Sequence, residues 1–176
     1  MNSFEVLGLK KRLVLSEEDL KARYDALSKE RHPDAGGTDE GFAELQRAFE
    51  DLKTLTGRIR AFLGEDPGRG SLPGEVMENF GEVAGTLERV ENFLSEREKA
   101  RSHLTRALLD QSVPGLKRQV EETLELVLSL RANFEMRASE EDEEALAEVY
   151  RGLVFLDKWE GQLKGASGRL FQALMA

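Results

Sequence analysis

The chain has 176 residues, of which 40% are hydrophobic and 34% charged, and its formal net charge is −9. That length holds one sizeable domain or two small ones. The acidic balance argues against a nucleic-acid or anionic-membrane partner, because each requires clustered Lys and Arg, and Lys10-Lys11-Arg12 is only three residues long. No cysteine is present. Disulfides, thiolate zinc sites, cysteine-ligated iron–sulfur clusters and cysteine catalysis are thereby excluded, and a cytoplasmic location fits. The N-terminus shows no basic segment followed by an apolar core, so no signal peptide is expected. No uninterrupted apolar run reaches membrane-spanning length. Alanine, leucine, glutamate, lysine and arginine dominate, isoleucine is sparse and proline is rare, which predicts an all-α fold.

Phe4, Leu7 and Leu9 open the pattern, with Gly8 as a helix stop. Ser16 followed by Glu17-Glu18-Asp19 reads as a capped helix N-terminus with acids in its first turn. Leu20, Tyr24 and Leu27 continue it at i, i+4, i+7, and the helix is expected to end near Arg31, because Pro33 biases His32 away from the α region. His32 to Thr38 is a loop by composition, and Thr38 is placed to cap the next helix. That helix carries Phe42, Leu45, Phe49 and Leu52. Gly57 is expected to interrupt before a short helix with Ile59, Phe62 and Leu63. Residues 64–74 hold four glycines and two prolines and read as a linker.

Three further helices are expected. The first carries Phe80, Val83, Leu87, Val90 and Leu94, then Leu104 and Leu108, until Val113-Pro114-Gly115 breaks it. The second carries Leu116, Val120, Leu124, Val127, Leu130 and Phe134. The third is expected to open at Ser139, with Asp142 three residues on, and carries Leu146, Val149, Leu153, Leu156, Leu163, Leu170 and Leu174. Long antiparallel helices with short connections make a bundle.

His32-Pro33-Asp34 is the sharpest feature. By ordinary residue frequencies this tripeptide turns up in roughly one per cent of chains this long. What makes it specific is its place between two amphipathic helices. Pro33 fixes the backbone and so presents the two polar side chains at a preset angle, a recognition surface rather than a catalytic one. The plainer alternative is an ordinary turn started by Asp34 and relieved by Gly36-Gly37.

With that tripeptide in place, residues 4–63 resemble a J-domain: Phe4-Glu5-Val6-Leu7-Gly8-Leu9, the Tyr24/Leu27 helix, His32-Pro33-Asp34, then Phe42-Ala43-Glu44-Leu45-Gln46-Arg47-Ala48-Phe49. The resemblance implies a helical hairpin with short flanking helices. It also implies docking of His32, Pro33, Asp34 and the preceding helix on the ATPase of a DnaK- or HscA-type chaperone. The basic residues of that helix are Lys21, Arg23, Lys29 and Arg31. Asp25, Ala26 and Glu30 stand where J-domains of the DnaJ type carry basic residues, and Arg31 replaces the usual aromatic.

The longer spacer Leu7-Gly8-Leu9-Lys10-Lys11-Arg12-Leu13-Val14-Leu15-Ser16, the bundle and the segment Phe155-Leu156-Asp157-Lys158 are similar to the HscB type of J-protein. That type serves iron–sulfur cluster assembly. The resemblance implies a J-domain at 1–66, a linker at 67–74 and a three-helix bundle at 75–176 that binds a client, an IscU-like scaffold. Phe155 and Trp159 then become the client-contact candidates. Both lie off the leucine seam of their helix, which fits either a binding patch or a wide buried face. A J-protein with another client, or with an adaptor or oligomerisation role for its bundle, is the alternative. No catalytic constellation, metal-ligand set or cofactor motif is visible, and none is expected. Lone His103 and the acidic run Glu140 to Glu144 read as solvated helix surface.

Overall fold

Asn2 starts the first helix by reciprocal capping. Its side chain accepts from the Phe4 N–H, and the Glu5 carboxylate accepts from the Asn2 N–H at 3.2 Å. The computed structural model describes residues 2–64 and 67–175, and regular structure among them is entirely helical. The expected end of the first unit, residue 66, lies outside the described residues. Contacts divide the chain into two compact units: residues up to Ser71 together with Glu135–Arg151, and Leu72–Phe134 together with the chain from Gly152 onward. No helix among the described residues is long and apolar enough to cross a membrane.

In the first unit α1 (Ser3–Val6) stops at Leu7, and Gly8 adopts φ +62°. α2 (Glu17–Arg31) is capped by Ser16, whose hydroxyl accepts from the Asp19 N–H. A 3-10 turn (Pro33–Ala35) follows, then α3 (Asp39–Lys53) under a Thr38 cap. Phe4, Leu7, Leu20, Leu45 and Leu52 form the centre of this core, with Tyr24, Leu27 and Phe49 half-buried against it. α4 (Leu55–Leu63) corrects one expectation. Gly57 does not interrupt the helix; Thr54 ends α3 and caps α4, its hydroxyl accepting from the Gly57 N–H. Gly57 serves the turn differently, since a Cβ there would lie 1.7 Å from the Asp51 carbonyl oxygen. Residues 67–73 form no helix, as their glycine and proline content requires. They are nonetheless tethered. The Arg151 guanidinium donates to the carbonyls of Ser71 at 2.9 Å, Pro67 at 3.3 Å and Arg69 at 3.3 Å.

The second unit holds α5 (Gly74–Lys99), α6 (His103–Asp110) and most of α7 (Val113–Arg137) and α8 (Glu143–Met175). Three sequence expectations are corrected. Leu104 and Leu108 do not continue α5: Ala100 turns extended, and Ser102 caps α6 by accepting from the Thr105 N–H. Val113-Pro114-Gly115 begins α7 instead of only breaking its predecessor, because a proline in the first turn loses no helical hydrogen bond. Ser139 does not open α8; the Asp142 carboxylate accepts from the Glu144 and Ala145 N–H groups and does so.

The buried stripe of α5 runs through Val76, Val83, Thr86, Val90 and Phe93, rotated from the one read through Phe80, Leu87 and Leu94. Thr86 takes a core place because α7 gives its hydroxyl a partner. The Thr86 and Thr123 hydroxyl oxygens lie 3.0 Å apart, and Thr123 donates to the Gln119 carbonyl at 2.8 Å, which leaves Thr86 as the donor between them. α8 meets both neighbours. Arg131 of α7 pairs with Asp157 and Glu160, and Glu91 of α5 pairs with Arg169.

Gly152 marks the tightest approach of α7 to α8, since a Cβ there would sit 2.6 Å from the Phe134 ring. Gly152→Ala is expected to lose about 1–3 kcal/mol in urea denaturation through overpacking. Adding Phe134→Leu should recover part of the loss; two additive losses would show that the ring is not the obstacle.

Candidate functional site

The turn after α2 is built from backbone constraints. Arg31 ends the helix, and His32 takes φ −63°, ψ 138°, the extended geometry that a following proline demands. Gly36 lies at φ +90°, and its N–H donates to the Pro33 carbonyl. The Gly37 N–H donates to the His32 carbonyl at 3.1 Å. A Cβ on Gly37 would stand 2.0 Å from the Arg31 carbonyl oxygen, so only glycine fits that approach.

Within this turn the three motif residues come together on the surface. The His32 Nδ1 accepts from the Asp34 N–H at 3.2 Å and lies 3.5 Å from an Asp34 carboxylate oxygen. These two contacts require opposite states of one nitrogen. With the Nδ1 lone pair accepting the N–H, the ring proton sits on Nε2; an Nδ1–H would instead face the carboxylate. The Phe42 ring meets His32 edge-on at 5.4 Å and limits its rotation. The Asp34 side chain is 92% exposed. Behind the turn, Tyr24 and Phe49 stack at 4.2 Å between ring centres and tie α2 to α3.

The four basic residues of α2 do not share a surface. Lys21 and Lys29 are exposed on one face with Asp25 between them at four-residue spacing, so charge alternates along that face. Arg23 reaches back to the Gly8 carbonyl. Arg31 follows Leu27 by four residues and Tyr24 by seven, which puts it half-buried on the inward row.

In the second unit Phe155 and Trp159 are neighbours, 5.0 Å apart and edge-to-face. Trp159 is only 4% exposed, so its ring belongs to the core and is not a surface anchor. The buried face of α8 includes Gly152, Leu156, Trp159, Leu163 and Ala166, because a helix packed against two others buries more than a single seam. Phe155 sits half-buried at its edge, with the Lys158 ammonium 5.9 Å from its ring. Phe80 is also not where its place in the α5 stripe predicts. It is 48% exposed and lies 6.4 Å from Phe155 and 6.1 Å from Trp159. With exposed Met77 three residues before it, α5 and α8 present an apolar surface. Its signal in the sequence was position, at the margin of the α5 stripe.

Beside it, the Lys164 hydrogen bond holds the Glu160 carboxyl below the usual carboxylate range against the opposing effect of burial, with Arg131 adding to the lowering. A folded-state value below the unfolded one stabilises the fold above the ordinary carboxylate range, and this contribution is lost as the pH falls through the folded-state value.

The sequence matches no family model, no curated protein and no solved structure.

The contrast between the two aromatics is measurable. Trp159→Ala should cost on the order of 3–5 kcal/mol in urea denaturation, as for a buried aromatic, and Phe80→Ala about 1 kcal/mol or less. Equal losses would place both rings in the core.

Proposed function

We propose that this chain is a J-domain co-chaperone that stimulates the ATPase of a DnaK- or HscA-type chaperone through His32, Pro33 and Asp34. The observation that carries the reading is the turn between α2 and α3: a histidine and an aspartate, both exposed, stand on a backbone set by proline, and Phe42 packs against the His32 ring. A rigid polar surface with no pocket chemistry suits docking on another protein, and rigidity lowers the ordering cost of that docking. On this reading the chain is an activator and not itself an enzyme. The alternating charge of the Lys21–Lys29 face gives the ATPase domain few cations to meet, so recognition rests on the turn.

The second unit delivers a client. Met77, Phe80 and Phe155 form an apolar surface of the kind that anchors protein interfaces. The client we assign by resemblance is an IscU-like iron–sulfur scaffold. Trp159 supports Phe155 from beneath and does not itself make the contact.

His32→Gln is expected to abolish stimulation in single-turnover ATP hydrolysis while leaving circular dichroism and urea stability at wild-type values, because the side chain is surface-exposed. Full stimulation by this variant would remove the J-domain assignment.

Phe80→Ala combined with Phe155→Ala should weaken binding of an IscU-like scaffold by about 2 kcal/mol or more in a calorimetric titration, with the fold retained. A wild-type chain that binds no such scaffold would leave a J-protein with another client.

A further inference from the structure

α6 turns its apolar face outward. Leu104 and Leu108 are 72% and 59% exposed, and no residue of the helix is buried. Four residues apart, they share one face. The opposite face makes the internal bonds. Arg106 donates to the Ala100 carbonyl at 3.2 Å, and Asp110 pairs with Arg97 of α5 at 2.7 Å. An eight-residue helix is marginal alone in water. Here the Ser102 cap and these polar bonds hold it, and they orient it with its leucines in solvent.

The end of α8 lies at the same end of the bundle. The Lys117 ammonium, near the start of α7, stands 5.8 Å from the Phe171 ring. Phe171 and Met175 are exposed as well.

Charge selects the occupant. The chain as a whole carries −9, yet residues 97–118 hold Lys99, Arg101 and Lys117 against Glu98 once the Arg97–Asp110 pair, the Arg118–Glu122 pair and Arg106, turned to the Ala100 carbonyl, are set aside. A second copy meeting this face through a two-fold axis would set cations against cations. An anionic bilayer would repel the acidic remainder of the chain.

We propose that the outward face of α6 and the end of α8 form a docking surface for an acidic, amphipathic helical segment of a partner protein. Leucines at helical spacing receive the apolar anchors of that segment, and Arg101 and Lys117 pair with its carboxylates. This assignment is independent of the chaperone reading, since it uses neither the turn at 32–37 nor the Met77, Phe80 and Phe155 surface.

The test is selection from a displayed library of random peptides about four helical turns long, using the intact protein as bait. Enriched peptides should carry Asp and Glu around apolar residues spaced three and four apart. Leu104→Glu with Leu108→Glu should weaken the selected peptide by about tenfold or more, with urea stability unchanged because both side chains are exposed. Arg101→Glu with Lys117→Glu should weaken it comparably and flatten its salt dependence. Failure to enrich any peptide overturns the proposal, as do neutral or basic peptides and binding indifferent to both variants. Two other results would also overturn it by naming a different occupant. One is binding to phosphatidylserine/phosphatidylcholine vesicles lost in the leucine variant; the other is a dimer in sedimentation that the leucine variant dissociates.

Discussion

Proline has no N–H to give a helix and holds the residue before it extended, and at Pro33 that constraint sets the course of the first unit. α2 stops at Arg31, two residues before it, and His32 takes the extended geometry. The reversal then needs the Gly37 backbone to pass beside the Arg31 carbonyl, where no Cβ fits. Only with both conditions met does α3 return along α2, so that Tyr24 stacks on Phe49 and Leu20 meets Leu45 and Leu52. Core and exposed turn are thus one construction: the packing behind fixes the ends of the two helices, and the ends fix where His32 and Asp34 stand.

The second unit depends on a different constraint, the width of the face a helix must bury when it touches two others. On α8 that face is broad enough to take in Gly152, Trp159 and Ala166 beside the leucine seam. The same breadth decides what is left outside. Phe155 falls at the margin of the α8 face and Phe80 at the margin of the α5 face, and the two margins meet as an apolar surface over a buried tryptophan. Rigidity at such a surface comes from the core beneath it, so Trp159 contributes by position.

Polar groups act as adjustments to that packing. Thr86 and Thr123 satisfy one another inside an apolar interface, which lets the α5 stripe rotate away from its most hydrophobic residues. Arg131 bridges α7 and α8 through two carboxylates, and Arg151 ties three carbonyls of a segment whose composition alone describes a loose tether. In each case a side chain distant in sequence closes a local backbone or helix contact.

Local chemistry made much of this legible in advance. The all-α class, the capping by Ser16 and Thr38, the end of α2 before Pro33 and the leucine seam of α8 from Leu146 to Leu170 are short-range consequences of hydrogen-bond geometry and helical period, and a linear pattern records them; Leu174, read as the end of that seam, is exposed. The basic residues of α2 read as a set in sequence, but helix rotation separates them, and Arg23 and Arg31 turn to the Gly8 carbonyl and the inward row. Other features required the folded chain. Whether α5 centres on Leu87 or Thr86 depends on a hydroxyl from another helix, and whether Trp159 is core or surface depends on how many neighbours α8 has. The break at Ala100 was hidden because Leu104 and Leu108 keep the apolar rhythm of α5 across it. Periodicity tells which residues share a face; only tertiary packing decides whether that face is covered, because burial is a property of what lies opposite and not of the helix that carries it.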